Sequence, residues 1–176
     1  MKSGSVGLAL LAALVLSGCD HSERASYERG VAALLKTIIS AQQDFRANDR
    51  DGNGLEDFWR KDIAGLYSLR GKDGKPLALI HPSTALADDR PQPGRELGPT
   101  SVPWCTYRFR VLRFADEKTP DPQRWAACAV PGREGDCRYV FIVSHVGLIF
   151  RKPIEKVRHL ELFPADPLKD GWEKVD

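Results

Sequence analysis

The stretch "RANDRDGNGLEDFW", from Arg46 to Trp59, combines three aspartates, two asparagines and two glycines. Carboxylate and carbonyl oxygens are the ligands that Ca²⁺ prefers, and glycine allows the sharp turn of a calcium loop. In the register of an EF-hand loop, the successive ligand positions fall on Asp49, Asp51, Asn53, Leu55 and Asp57. This Asp-rich loop is therefore the first candidate functional site.

The Asp-rich loop departs from an EF-hand at its last ligand. The position that should supply a bidentate glutamate is Arg60, and a cation cannot ligate a metal. The spacing is closer to the shorter loops of extracellular calcium repeats. An explanation without metal is also available, because Asp and Asn bond their own backbone and Asn53 with Glu56 forms a helix-starting capping pair. We favour this acidic turn, with no cofactor, and keep a weak calcium-binding module as the alternative.

The N-terminal segment "MKSGSVGLALLAALVLSGC" places Lys2 before a short apolar run and ends at Cys19. The run is shorter than the roughly 20 residues that span a bilayer, and the pattern is typical of a secretory signal. Its end, "LSGC", resembles the lipobox of bacterial lipoproteins, in which the cysteine thiol is acylated and becomes the new N-terminus. The resemblance implies a signal peptide over residues 1–18 and a palmitate-type lipid on Cys19. The alternative is an ordinary signal peptide with a chance cysteine.

A lipobox implies a location as well as a modification. We expect a lipoprotein of the bacterial cell envelope, anchored to the membrane by its N-terminal lipid, with its domain facing the periplasm or the exterior. Asp20 resembles an inner-membrane retention signal in some bacteria, but this rule does not select the membrane in all lineages. The charge is near neutral, with 26 Lys and Arg against 24 Asp and Glu, and gives no footprint for nucleic acid.

Cysteines beyond the lipidation site can form disulfides in an exported protein. Cys128 and Cys137 flank the turn-rich segment "AVPGREGD", so we favour a bond between them. A Cys105–Cys128 bond and three buried, inert thiols are the alternatives. No Cys/His spacing of a zinc site is present.

Apolar spacing predicts a single domain over residues 27–176, after a polar tether at 19–26. An amphipathic helix capped by Ser26 has apolar or buried positions at Tyr27, Val31, Leu34, Leu35, Ile38, Gln42 and Phe45. A second short helix is predicted over residues 55–69. Six of the twelve prolines fall in residues 76–103, which predicts a long loop without regular structure, either a surface wrap or a variable binding loop.

The second half of the chain has the alternation of β-strands. In "TYRFRVLRF" one face carries Tyr107, Phe109 and Val111, and the other carries Arg108, Arg110 and Leu112. "RWAACAV" predicts a second strand, and "RYVFIVS" with "GLIFRKP" predicts a hairpin that turns at Gly147. Helices followed by strands indicate an α+β fold, with the N-terminal helix packed on a C-terminal antiparallel sheet of about four strands.

Two segments resemble pseudopilin-like exported bacterial proteins of the type II secretion and type IV pilin group. In "LKTIISAQQDFRANDRDGNGLEDFWRKDIAGLYSL", a helix ending in "AQ..F" leads to an Asp/Asn-rich turn, an aromatic pair and "AGLY". "WAACAVPGREGDCRYVFIVSHVGLIFRK" resembles the closing sheet of the same group, and also that of an uncharacterised family of exported bacterial proteins. The resemblance implies a pilin-like head. The prepilin cleavage site and the long apolar helix of pilins are replaced by the lipobox, so we expect no entry into a pilus by helix packing.

Sequence motifs of catalysis are few. No GxSxG, HExxH or phosphate-binding loop occurs, and the adjacent Ser144 and His145 read as a polar hairpin tip. We therefore expect no enzyme and no catalytic residue, but a binding or scaffold domain with a protein partner in the envelope. The alternative from another class is an envelope enzyme or enzyme inhibitor with a site in the Pro-rich loop.

Lipidation of Cys19 is directly testable. Radiolabelled palmitate should enter the wild-type protein and not the Cys19→Ala variant, because acylation needs the thiol. Equal labelling of the two proteins would contradict a lipid anchor on Cys19.

Overall fold

The computed structural model describes residues 6–94, 97, 107–132, 137–157 and 160–175, and over residues 6–21 it describes the backbone alone. Within these ranges the elements are three α-helices, six strands and one 3₁₀ turn at Ile154–Lys156. The chain is α+β, as the sequence predicts.

The longest element is helix α1, Val6–Ala47. It begins well before Ser26, so Ser26 is not its N-cap and the predicted tether at 19–26 is helical instead. Alanine and leucine, which dominate the start of the helix, have the highest helix propensities. The helix contacts the domain through one stripe of buried residues, namely Glu28, Val31, Leu35, Ile38, Ala41, Gln42 and Phe45. Tyr27, predicted to lie on this stripe, is exposed.

Among the described residues, no helix has the combination of length and hydropathy needed to cross a membrane.

The predicted helix over residues 55–69 is mostly absent. Helix α2 covers Gly65–Ser68 alone, and the ten residues before it are irregular although several of them are buried. The predicted capping pair does not start a helix: the Oδ1 of Asn53 accepts a bond from the Leu55 N–H at 2.7 Å, as an N-cap would, but the residues that follow are irregular.

The Pro-rich loop at 76–103 contains regular structure that was not predicted, in its described part, which ends at residue 94 and adds residue 97. Helix α3 covers Pro82–Leu86. Its N-cap is His81, whose side chain accepts a bond from the Ser83 N–H. Asp88 then forms a parallel bridge to Phe109. This part of the loop wraps the edge of the sheet.

In the described part of the chain the sheet has six strands, and not the predicted four or so. They are β1 Tyr107–Phe114, β2 Ala126–Pro131, β3 Tyr139–Ser144, β4 Ile149–Pro153, β5 Leu162–Phe163 and β6 Glu173–Val175. Their order is β5-β1-β2-β3-β4-β6, and β5 alone is parallel to its neighbour, β1. The predicted antiparallel run from β1 to β4 is confirmed, including the β3–β4 hairpin, where Gly147 has a φ of 82°.

The two faces of the sheet bury two separate clusters, and the alternation in β1 predicts which of its residues lie on which face. On one face Tyr107 and Phe109 join the buried stripe of α1 in one core. On the other face Leu112 and Phe114 lie in a second core, to which Phe163 and Trp172 of the C-terminal segment also belong.

The two faces also explain why the predicted disulfide is wrong. No bond joins Cys128 and Cys137, and each is buried. Cys128 lies in the second core, whereas Cys137 lies in the core that contains α1, so the sheet separates the two thiols. Burial raises the pKa of the Cys128 thiol to about 12. Cys105, of the alternative pair, lies outside the described residues.

Candidate functional site at the end of the long helix

Three loops meet where α1 ends, and we call this region the distal end. The ring of Phe58 lies 6.4 Å from that of Trp125 and 6.5 Å from that of His145, between centroids. The side-chain amide of Gln123 donates to the carbonyl of Glu56 at 2.8 Å. The loops are residues 48–61, 115–125 and 145–148. The Asp-rich loop is therefore one wall of a larger surface.

Gln42 holds the first of these loops against α1. Its side chain is fully buried, its Nε2 donates to the Trp59 carbonyl at 2.6 Å, and its Oε1 accepts from the Trp59 N–H at 3.1 Å. The Trp59 ring packs on Phe45, and its Nε1 donates to Asp62 at 2.8 Å. A Cβ at Gly65 would overlap this indole, so glycine is required there.

Two buried carboxylates continue the same network. Asp88 accepts bonds from the N–H groups of Ile63 and Ala64 at 2.7 and 2.8 Å, and Asp62 accepts from the N–H of Gly65 at 3.0 Å. Burial raises the pKa of Asp88, while its backbone donors act in the opposite direction. These side chains satisfy backbone groups that a helix would otherwise have paired.

Sequence reasoning missed Asp62 and Asp88 altogether. A signal existed for Gln42, because a polar residue stands there in an otherwise apolar helical stripe. Nothing in the Pro-rich loop distinguishes Asp88 from its neighbour Asp89, so the sequence offers no comparable signal there.

Asp49 stands apart from the other predicted calcium ligands. Its Oδ2 forms an ion pair with Lys72 at 2.9 Å, and both oxygens accept from the Gly54 N–H. The hydrogen bond from Lys72 lowers the pKa of this carboxyl. Asp49 itself has a positive φ of 43°, which places it inside the turn.

Asp51, Asn53 and Asp57 do come together. The Asn53 amide donates to Asp51 at 3.1 Å and to Asp57 at 3.5 Å, and the carbonyl of this amide accepts from Leu55. Across the described part of the chain, no three acidic, histidine or cysteine side chains are arranged to hold a metal ion. The contacts of the loop are those of an acidic turn, and weak calcium binding stays a prediction.

A groove of about 280 Å³ adjoins the Asp-rich loop, with Phe58 and Trp59 in its wall and Asp51 and Asp57 on its rim. The chain's own cations already contact these rings. The guanidinium of Arg46 lies 5.2 Å from the Phe58 ring centroid, and another cation, the Lys61 ammonium, lies 5.2 Å from that of Trp59.

The Ser144–His145 pair is not the predicted polar tip. Ser144 is buried at the end of β3, and the exposed side chains of the turn are Val146 and Leu148. The Nδ1 of His145 has no hydrogen-bond partner among the described residues, and burial lowers the pKa of its ring. The Nδ1 of His145 therefore forms no hydrogen bond with Ser144.

Cys19 lies within α1, and its side chain is outside the described part of the structure. Comparison with protein-family models, with curated proteins and with solved structures finds no match for the chain. The resemblance to pseudopilin-like proteins thus remains a prediction from two sequence segments.

The two hydrogen bonds between Gln42 and the Trp59 backbone predict that a substitution at Gln42 lowers the stability of the protein strongly. Gln42→Leu keeps the volume but leaves two buried backbone groups of Trp59 unpaired, so the free energy of unfolding should fall by about 2–4 kcal/mol. Urea unfolding of the purified protein measures it. The matched control is Gln43→Leu at the neighbouring, exposed position, which should change stability by no more than about 0.5 kcal/mol. Equal effects of the two substitutions would contradict this role of Gln42.

Calorimetry tests the metal alternative. Because the loop lacks a bidentate ligand and its carboxylates already accept hydrogen bonds, calcium should bind no more tightly than ~10⁻⁴ M. A micromolar constant that Asp51→Ala abolishes, and that Asp73→Ala in the next turn leaves intact, would make the loop a genuine calcium site.

Proposed function

We propose that this chain is a bacterial envelope lipoprotein whose pilin-like head is a non-enzymatic binding or scaffold domain. The lipid on Cys19 holds it to the membrane, and a protein partner in the envelope binds the distal end. Each step of this proposal is supported by a separate feature of the molecule.

The observation that carries the proposal is the shape of α1. In the proposed mature lipoprotein α1 would begin at Cys19, because the signal peptide over residues 1–18 would be removed, and its buried stripe begins nine residues later at Glu28. This stretch is about 14 Å long, and its side chains from Ser22 to Tyr27 are exposed or partly exposed. A lipid at Cys19 would therefore carry the head on a helical stalk, with the distal end away from the bilayer.

The motifs behind the pseudopilin-like resemblance support a common unit. Ala41, Gln42 and Phe45 of "AQ..F" contact or adjoin the aromatic pair, and Gly65 of "AGLY" packs on the Trp59 indole. Residues that are far apart in the pattern thus build one junction between helix and loop. These motif residues are related by packing and not by surface chemistry. That is expected if the motif belongs to a head structure shared with the pseudopilin-like proteins.

The distal end also carries exposed apolar side chains. Leu55 is 59% exposed and Val146 is 65% exposed, each on a different loop of this end. Exposed apolar residues mark an interaction site when they form one contiguous patch, so the proposal requires one partner to cover Leu55 and Val146 together. We place the partner's contact here.

Photo-crosslinking in native membranes tests this placement. A benzophenone amino acid at position 55, and separately at position 146, should give an adduct of the same size with one envelope protein. The matched control is position 168, because Leu168 is 63% exposed but lies on the C-terminal segment. Adducts from all three positions, or from position 168 alone, would contradict a partner at the distal end.

A further inference from the structure

A second groove, of about 420 Å³, lies between α1 and the sheet where the helix first meets the domain. On the helix side Arg29 and Lys36 stand two turns apart with Ala32 between them, so a small residue leaves room between two cations. On the sheet side the wall contains Arg138 and Arg151. We call these four cations and the space between them the basic groove.

The charges of the basic groove do not cancel. Its carboxylate is Glu28, which is buried and accepts bonds from Arg138 on both oxygens, at 3.2 and 3.0 Å. Arg151 pairs with Glu173 at 3.2 Å, whereas Arg29 and Lys36 form no ion pair with any described residue. Two cations, Arg29 and Lys36, therefore remain for a ligand.

The walls are also partly apolar. Phe141 and Val175 line the sheet side, and Ala25, Ala32 and Ala33 line the helix side. A ligand that is both anionic and amphiphilic matches this surface better than a fully hydrated ion, because its apolar part covers the alanines while its charge meets the cations.

We propose that the basic groove binds the phosphate headgroup of an anionic phospholipid, such as phosphatidylglycerol, in the membrane that holds the protein. This proposal rests on the lipid anchor proposed above. The two cations without an ion pair, Arg29 and Lys36, follow Cys19 by ten and seventeen residues, or about 15 and 26 Å along the helix. These distances exceed the Debye length of about 8–10 Å, so the groove reaches anionic lipid only when the head tilts onto the bilayer.

Binding at this groove would give the head a fixed orientation. The acyl chains fix one point of the helix, but they do not fix its tilt. A headgroup held between α1 and the sheet adds a second point on another element, so the domain would lean on the bilayer with one defined side.

The test uses the full lipidated protein, reconstituted in vesicles, with a benzophenone amino acid at position 33. Ala33 is exposed and lines the groove. Mass spectrometry should find a phosphatidylglycerol adduct in mixed phosphatidylglycerol–phosphatidylcholine vesicles. Arg29→Glu/Lys36→Glu should reduce this adduct about tenfold or more, and Arg29→Gln/Lys36→Gln should have an intermediate effect. The control with the same net charge is Lys118→Glu/Lys156→Glu, outside the groove, which should leave the adduct unchanged.

Three outcomes would overturn the proposal. Equal adducts with phosphatidylcholine alone would show contact without charge recognition. An equal loss in the control variant would show a general effect of net charge, and complete competition by inorganic phosphate at the same phosphate concentration would show a site for the free ion. Palmitate labelling reports on the anchor independently, so a labelled protein without the adduct contradicts the groove alone.

Discussion

The buried, irregular segment before α2 depends on side chains for its backbone hydrogen bonds. Buried N–H and C=O groups need partners, and outside a helix or sheet they do not find them locally. Here the amide of Gln42 pairs both polar groups of Trp59, and the carboxylates of Asp62 and Asp88 pair the N–H groups that follow. Each group left unpaired would cost about 1–3 kcal/mol, so these three side chains decide whether the segment can be buried at all.

The same network connects distant parts of the chain. Asp88, which accepts from Ile63 and Ala64, is followed by Asp89, whose N–H donates to the Phe109 carbonyl of β1 at 2.7 Å. Helix α1, the irregular segment and the edge of the sheet are thereby joined through hydrogen bonds as well as through apolar contact. The edge of β1 is covered at this point, which removes an open site for pairing with another chain.

The sequence predicted correctly those features that depend on residues close together in the chain. The alternation in β1 and the hairpin at Gly147 follow from period-two burial and a glycine turn, and the α1 stripe follows from helical spacing. The prediction of a helix over residues 55–69 was wrong because side chains from distant parts of the chain take the backbone N–H groups there. Gln42 accepts from Trp59, and Asp88 accepts from Ile63.

The other errors have equally physical causes. Cys128 and Cys137 are close in sequence, but closeness does not reveal that a sheet lies between their side chains. Strands β5 and β6 have two and three residues, too few to show alternation, and their partners on β1 and β4 are non-local. For the candidate site, sequence reasoning found the Asp-rich loop, but not that Asp49 would turn away to Lys72.

Because α1 is continuous, it fixes the orientation of the basic groove relative to the distal end. The basic groove lies where α1 enters the domain, and the distal end lies where α1 ends. A single α-helix without a break transmits orientation along its length, so the two surfaces cannot turn independently. Whatever fixes the groove relative to a membrane therefore also fixes the direction in which Leu55 and Val146 face. A lipid anchor alone would leave that direction free, so in the proposed arrangement the charge of the groove would set how the distal end is presented to the proposed partner.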